Sequence, residues 1–100
     1  MTIFEILQST GLPCVYSHYT KKGLKPPYIA YIGSGQINLD ADNTHYWREN
    51  TYQVEYYYTD KDEQNEAAIE DALLEHGYLY EKSEDIFIEE ENVFVIYYYI

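Results

Sequence analysis

Residues 93–100 (VFVIYYYI) form an unbroken run of β-branched and aromatic side chains. Such a run favours a β-strand, and it is far shorter than the roughly 20 residues that a membrane-spanning helix needs. No position in the Tyr97-Tyr98-Tyr99 segment marks a solvent face, so both sides of this strand need cover. A layer of helices covers only one face of a sheet, so the other face is left for water or for a second chain.

The 100-residue length is that of one compact domain, and we predict a single domain over residues 1–100. Leu, Ile, Val and Phe supply 24 residues, which is enough for a core. Another 14 residues are Tyr, whose rings cover area while their hydroxyls require water or a partner. The chain is therefore expected to fold.

Two segments show helical signals. Residues 2–10 place apolar side chains on one side, with Thr2 as N-cap and Gly11 as the stop. Residues 62–76 carry an apolar stripe, preceded by Asp60 and Glu63 at capping-box spacing and followed by Gly77 at the C-cap. The sequence therefore predicts two amphipathic helices.

The remaining segments alternate in the manner of strands. We expect Gly33-Ser-Gly35 to end the second strand and residues 36–45 to form a long polar loop. The last three strands, joined by short polar links, are expected to form a meander. The fold class is therefore α+β: a single, mostly antiparallel sheet of about four to six strands with two helices on one face. The predicted strands are 12–19, 28–32, 46–59, 78–82, 86–89 and 93–99.

The net charge of −12 is unevenly distributed. Residues 60–92 hold 13 acids and two bases, whereas residues 1–59 hold five acids and four bases. Such a balance argues against a phosphate-neutralising surface for nucleic acid. A solvated acidic face is one interpretation; the other is a head-to-tail contact between copies, in which a basic loop meets the acidic region of the next copy. The residues assigned to that contact are Lys21, Lys22, Lys25, Glu89, Glu90 and Glu91, together with Tyr57 and Tyr98 on the face left open.

The search for reactive groups gives no catalytic, cofactor or metal site. Cys14 and His18 are about 13 Å apart in an extended strand, so a structural thiol is expected. The Asp40-Ala-Asp42-Asn43 segment resembles the start of a calcium loop, but the required Gly and Glu are His45 and Thr51. A lone cysteine and the lack of a basic, apolar leader lead us to expect a cytosolic chain.

Several segments together resemble small tail-completion proteins of siphophages and prophages of Gram-positive bacteria. They are Thr-Gly-Leu-Pro (10–13), Pro-Pro-Tyr-Ile-Ala-Tyr (26–31), Ala-Asp-Asn (41–43), the Tyr-rich run 52–61 before an acidic helix, and the Tyr-rich last strand. The order of elements is also similar to that of lambda-type tail terminators and of tail-to-head joining proteins. The likeness covers nearly all 100 residues.

The resemblance implies a non-enzymatic virion protein. It implies a hexameric ring at the head-proximal end of the tail, which ends tube growth, contacts the tail tube protein and the head connector, and lets DNA pass without specific binding. No cofactor and no membrane are implied, and the location is the virion tail, with the host cytoplasm during assembly. We assign partner contacts to the segment 33–45, represented by Gly33, Gly35, Asp40, Asp42 and Asn43.

Two other functions compete with this one. A small acidic inhibitor that imitates DNA would also present dense carboxylates, and it would bind a basic DNA-handling protein as a monomer or dimer. A small enzyme would need a pocket that gathers two or more polar side chains. Oligomeric state discriminates the first of these from the ring, and a cleft of reactive groups discriminates the second.

Changing Lys21, Lys22 and Lys25 together to Glu is expected to weaken self-association while leaving the fold intact, because the basic side of the proposed contact is reversed. Light scattering measures the association and circular dichroism checks the fold. Unchanged assembly in the triple variant would contradict the charge-pairing hypothesis.

Overall fold

The computed structural model describes residues 1–16, 24–41 and 45–100, with the backbone alone for 38–41 and 45–48. Two helices and six strands lie in these ranges. Their bounds in chain order are α1 Ile3–Gln8, β1 Cys14–Tyr16, β2 Tyr28–Ala41, β3 His45–Tyr58, α2 Glu63–Glu75, β4 Glu81–Lys82, β5 Ile86–Ile88 and β6 Val93–Tyr99.

The strands form one sheet in the order β1-β2-β3-β6-β4, and β5 also pairs with β6. Only the β1–β2 pairing is parallel among the five pairings of the described residues. The predicted α+β fold with a mostly antiparallel sheet is therefore confirmed. The predicted first strand, 12–19, is described only as far as Tyr16, and its remainder lies outside the described residues.

Both helices pack on the same face of the sheet, as predicted. Ile3 and Leu7 of α1 and Ile69 and Leu73 of α2 meet the inward side chains of the central strands. Those strand residues are Ile29, Val54, Tyr56, Tyr58, Ile96 and Tyr98. The opposite face holds a second buried cluster of Tyr28, Ala30, Tyr57, Val93 and Val95.

The helix ends follow from local side-chain bonds. Thr2 and Glu5 form a reciprocal capping box, with the Glu5 amide 3.2 Å from Thr2 Oγ1 and the Thr2 amide 2.9 Å from Glu5 Oε1. The N-cap of α2 is Asp62 and not Asp60, because the Asp62 carboxylate accepts from the amides two and three residues on. Gly77, with φ +84°, follows α2 at the predicted stop.

The predicted loop after Gly33-Ser-Gly35 is wrong. Strand β2 continues to Ala41, paired throughout with β3, and the register shifts between Gly33 and Gly35 as in a β-bulge. Gly35 adopts φ +143°, a conformation that side chains rarely allow, so glycine here accommodates the irregularity without ending the strand. The chain therefore forms a long hairpin where a loop was expected.

The predicted meander is also wrong, because β4 and β5 both pair with the same edge of β6. Between them, Ser83 keeps the chain against β6: its amide donates to the Tyr97 carbonyl and its hydroxyl accepts from the Tyr97 amide, both at 2.8 Å. The segment 81–88 is thus one interrupted edge strand. The second short link does reverse the chain, with Asn92 at φ 56° and its amide bonded to the Ile88 carbonyl.

Leu73→Ala is expected to lower the free energy of unfolding by about 2–5 kcal/mol, because Leu73 is fully buried between α2 and the sheet. Leu74→Ala is the matched control, since Leu74 is about half exposed on the same helix. Urea denaturation measures both. Equal losses in the two variants would show that the helix register described above is wrong.

Candidate functional site

The β2–β3 hairpin extends beyond the rest of the sheet. Among the described residues the pairing of β1 with β2 extends as far as Tyr31. The pairing of β6 with β3 ends at Gln53 and is followed by reciprocal hydrogen bonds between Tyr52 and Ile100. From there to the Ala41–His45 pair, β2 and β3 pair only with each other among the described residues. We call residues 35–41 and 45–51 the arm. Each strand of the arm spans six residue-to-residue steps of ~3.4 Å, so the arm is roughly 20 Å long, within a molecule of 50 × 25 × 23 Å.

The arm has two chemically different faces. Residues at paired positions share a face, so the pairs Ile37–Glu49 and Leu39–Trp47 belong to one face. The other face includes Gln36 and Asn50, whose side chains are hydrogen-bonded at 3.0 Å. Ile37 is 48% exposed. One face of the arm is therefore rich in large apolar residues.

A groove lies where the arm joins the core. A pocket of about 510 Å³ and another of about 260 Å³ share three wall residues, Thr51, Leu79 and Ile100. Leu79 is 84% exposed, the highest exposure among the exposed large apolar residues of the described chain. We call the combined feature the root groove; its walls include Ile37, Thr51, Tyr52, Leu79, Tyr99 and Ile100. The walls also include the carboxylates Glu49 and Glu81, so the groove combines apolar and acidic side chains.

An ion-pair network ties α2 to the edge of the sheet. Glu66 is 3% exposed, and its two carboxylate oxygens lie 2.7 Å from Lys61 Nζ and 2.9 Å from Lys82 Nζ. Lys82 Nζ is also 2.8 Å from Glu70, and Lys61 Nζ is 2.9 Å from Asp85. Charged partners on both oxygens compensate for the burial of Glu66.

Tyrosine hydroxyls complete this network. Tyr98 donates to Glu70 at 2.8 Å, and Tyr58 donates to Asp85. Burial raises the pKa of Glu70, but the bonds from Lys82 and Tyr98 outweigh it, so the pKa lies below its ordinary value. Hydrogen bonds from Tyr58 and Lys61 likewise lower the pKa of Asp85. These groups are held in their charged forms, which suits structural ion pairs.

The lysine pKa values agree with a structural role. Hydrogen bonds to Glu66 and Asp85 raise the pKa of Lys61. Burial lowers the pKa of Lys82, but bonds to Glu70 and Glu66 outweigh that effect and raise it overall. A lysine held as an ammonium ion is neither a base nor a nucleophile. The network therefore stabilises the fold and holds both lysines of residues 60–92 in ion pairs.

Because both lysines of residues 60–92 are paired in this network, the remaining carboxylates of this segment lie at the surface without a lysine partner from it. No ion pair in the described part of the chain includes them. They are Asp60, Asp62, Glu63, Asp71, Glu75, Glu81, Glu84, Glu89, Glu90 and Glu91, and all are exposed. The acidic surface includes α2 with the residues before it, β4 with the link after it, and the turn between β5 and β6.

The two tyrosines assigned to an open face do not share a face. Tyr98 lies under α2 on the helix side, fully buried, so its predicted placement on the open face is wrong. Tyr57 lies on the opposite face, also buried, stacked on Tyr28 at 4.9 Å and donating to the Glu55 carboxylate. The exposed tyrosine of that segment is Tyr99, at 47%.

The other predicted contact residues are spread over the molecule. Lys25 is exposed, whereas Lys21 and Lys22 lie outside the described residues. Gly33 and Gly35 form the bulge at the base of the arm, and the Asp40 backbone pairs with Tyr46 near its end. Asp42 and Asn43 lie outside the described residues. The assigned segment 33–45 is thus mostly arm.

Cys14 lies in β1 and is half-buried, and burial raises the pKa of its thiol to about 11. The thiolate form is therefore scarce at neutral pH, as expected of a structural thiol. Within the described ranges, no three His, Cys, Asp or Glu side chains are grouped to hold a metal ion. None of the described helices has the length and apolar character to cross a bilayer.

Sequence reasoning missed the root groove and the apolar arm face. The groove depends on Leu79 and Ile37, which are distant in sequence and show no shared pattern. The arm face had a signal: Ile37 and Leu39 alternate with polar residues in the segment assigned as a loop. The sequence matches no protein-family model, and neither the curated proteins nor the solved structures include a significant match.

Glu70→Gln is expected to lower the free energy of unfolding by about 1–2 kcal/mol at pH 7, because Lys82 loses a charged partner. Since the pKa of Glu70 is below 4.5 when folded, its stabilisation is present above about pH 4.5 and is lost as the pH falls through the folded value. The difference from wild type should therefore shrink as the pH falls below about 4.5. Urea denaturation across this range measures it.

Glu75→Gln serves as the control, because Glu75 is exposed on the same helix and has no ion pair in the described ranges. It should differ little from wild type at either pH. A Glu70→Gln deficit that persists undiminished at low pH would contradict the assignment of the lowered pKa.

Proposed function

We propose that this chain is a non-enzymatic virion structural protein that forms a ring of six copies at the head-proximal end of a siphophage-type tail. There it ends growth of the tail tube and joins the tail to the head. The observation that carries the proposal is the arm, a two-stranded extension with a partly exposed apolar face. The position in the virion is inferred from the resemblance of the sequence to small tail-completion proteins.

The arm supports assembly because a lone two-stranded hairpin is marginally stable in water. The pairing of β2 with β3 extends beyond the described ends of both neighbouring strands, so no third strand of the described chain supports the arm. Contact with another chain would cover its apolar face and hold it in place. Other copies, the tail tube protein and the head connector are the partners that such a ring would meet.

The charge of the chain fits a passage for DNA. Ten exposed carboxylates without ion pairs in the described chain lie on α2 and the residues before it, on β4 and the link after it, and on the β5–β6 turn. A wall of this kind repels phosphate, so DNA would pass without binding. Each copy carries −12, and screening by salt should therefore favour ring formation.

The same surface favours a second candidate, an acidic inhibitor that imitates DNA. Lys61 and Lys82 are committed to internal ion pairs, so the exposed carboxylates remain available to a basic DNA-handling protein. A mimic of this kind acts as a monomer or dimer. The arm has no role in that function, which is why the ring is preferred.

Light scattering on the purified chain at low and at about 0.5 M salt is expected to show a particle near six times 11.9 kDa, more abundant at high salt. Negative-stain electron microscopy should show rings. When added to polymerising tail tube protein of the same virion, the rings should shorten the tubes. A chain that stays monomeric in all salts and binds a basic DNA-handling protein would favour the mimic and contradict the ring.

A further inference from the structure

The root groove has two lobes, and the wall of each lobe contains one carboxylate. Glu81 lines the larger lobe, of about 510 Å³, and Glu49 lines the smaller one, of about 260 Å³. Both side chains are exposed, and no ion pair of the described residues includes either of them. The two acidic groups are therefore available to a positive charge that enters the groove.

The two lobes are joined by a wall that is largely apolar. They share Thr51, Leu79 and Ile100, and Leu79 is 84% exposed. A ligand side chain that covers Leu79 removes a large apolar area from water, which favours binding. Each lobe thus combines its own carboxylate with the apolar wall that it shares with the other lobe. Pockets of this size, mostly apolar with a few polar groups, are typical binding sites.

Tyrosine side chains strengthen the match to a cation. Tyr52, Tyr80 and Tyr99 belong to the wall of the larger lobe, and Tyr78 belongs to that of the smaller lobe. Aromatic rings attract ammonium and guanidinium groups through their negative faces. The aliphatic part of a lysine or arginine side chain also packs on apolar surface while its charged end stays polar. Lysine and arginine therefore suit both the apolar and the acidic parts of these walls.

Other classes of ligand fit these walls less well. Phosphate groups and nucleic acid would be repelled by the two carboxylates. A second copy of this chain would bring a net charge of −12 towards them. A bound metal ion needs more ligands than the two carboxylates, and the described ranges hold no group of three His, Cys, Asp or Glu. Charge complementarity therefore favours a basic partner.

We infer that the root groove binds an extended basic segment of a partner protein, in which an aliphatic residue stands between two arginines or lysines. The aliphatic side chain covers Leu79, and the two cations pair with Glu81 in one lobe and with Glu49 in the other. Side chains two residues apart in an extended segment lie on the same side, roughly 7 Å from each other. The matching pattern is therefore Arg-x-Leu-x-Arg or its lysine equivalent. The inference goes beyond the proposed ring, because a single copy has the whole groove.

Isothermal titration calorimetry with synthetic peptides and the full chain tests the ligand. The probe is Gly-Arg-Ser-Leu-Ser-Arg-Gly with blocked ends, in salt of about 0.15 M. One control peptide has glutamine for both arginines, and the other has serine for leucine. Each control should bind about tenfold more weakly than the probe. Equal binding of the probe and the serine peptide would overturn the inference, because charge alone would then explain the affinity.

Two double variants of the protein test the acidic part of the site. Glu49→Gln with Glu81→Gln should weaken binding of the probe about tenfold, because each lobe loses its carboxylate. Glu75→Gln with Glu90→Gln is the matched control, since both residues are exposed elsewhere and the same charge is lost. This control should bind the probe as wild type does. Equal weakening in the two double variants would overturn the site, because the net charge of the chain would then be the cause.

Leu79→Ser tests the apolar part of the site. It should also weaken binding of the probe about tenfold, because the wall shared by the two lobes is lost. Leu74→Ser is its control, since Leu74 is 49% exposed on α2 and lines neither lobe. Urea denaturation checks that each variant is folded. Unchanged affinity in a folded Leu79→Ser variant would overturn the inference.

The outcomes separate this inference from the proposed function. A wild-type chain that forms rings but does not bind the probe at about 1 mM would overturn the groove ligand and leave the ring in place. A chain that is monomeric at every salt concentration and binds the probe would overturn the ring and leave the groove ligand.

Two further results would change the occupant. Wild-type oligomers that the probe converts to monomers would assign the groove to a second copy and overturn the choice of a basic partner. Spermidine that binds as tightly as the probe would also overturn that choice, because a small polyamine would then satisfy the groove without a protein segment.

Discussion

The unequal lengths of neighbouring strands constrain the whole structure. Strands β2 and β3 have 14 residues each, whereas β6 has seven and β1 has three in the described part of the chain. The sheet therefore has a core in which β3 is paired on both sides and a projecting part in which β2 and β3 have only each other. Helix packing buries residues in the first part, and the second part is left without a third strand in the described chain. The proposed assembly follows from this difference.

The buried Glu66 has a comparable influence on the charged surface. Two lysines are required to compensate for one buried carboxylate, and Glu70 and Asp85 bind the same two lysines. The network fixes α2 against the edge strand, and it pairs the two lysines that could have neutralised other acids nearby. The acidic side and the sparsely charged arm are thus distinct regions of one small domain.

The elements with local signals could be predicted from the sequence. Helix α2 was found almost to the residue, because its apolar period, its acidic start and Gly77 are all encoded within one segment. Strand β2 was cut short because glycine marks a bulge as well as a strand end. The predicted face of the sheet for Tyr98 was wrong, because a run of three tyrosines contains no polar residue that marks which side chains face solvent.

The candidate site was less accessible to sequence reasoning. The root groove brings together Ile37, Leu79 and Ile100, which only the tertiary fold makes neighbours. The interruption between β4 and β5 depends on Ser83 bonding to Tyr97, a pairing that the turn-like residues around it conceal. Local patterns therefore predicted the helices and strands. The relative lengths of the strands and the position of the sheet edges, which decide the exposed surface, required coordinates.

The position of the single tryptophan in the arm has a practical consequence. Trp47 is the only indole of the sequence, and its backbone pairs with Leu39 beyond the end of β6. Its intrinsic fluorescence therefore arises from the arm. The emission wavelength is a label-free spectroscopic reporter of the polarity around the arm.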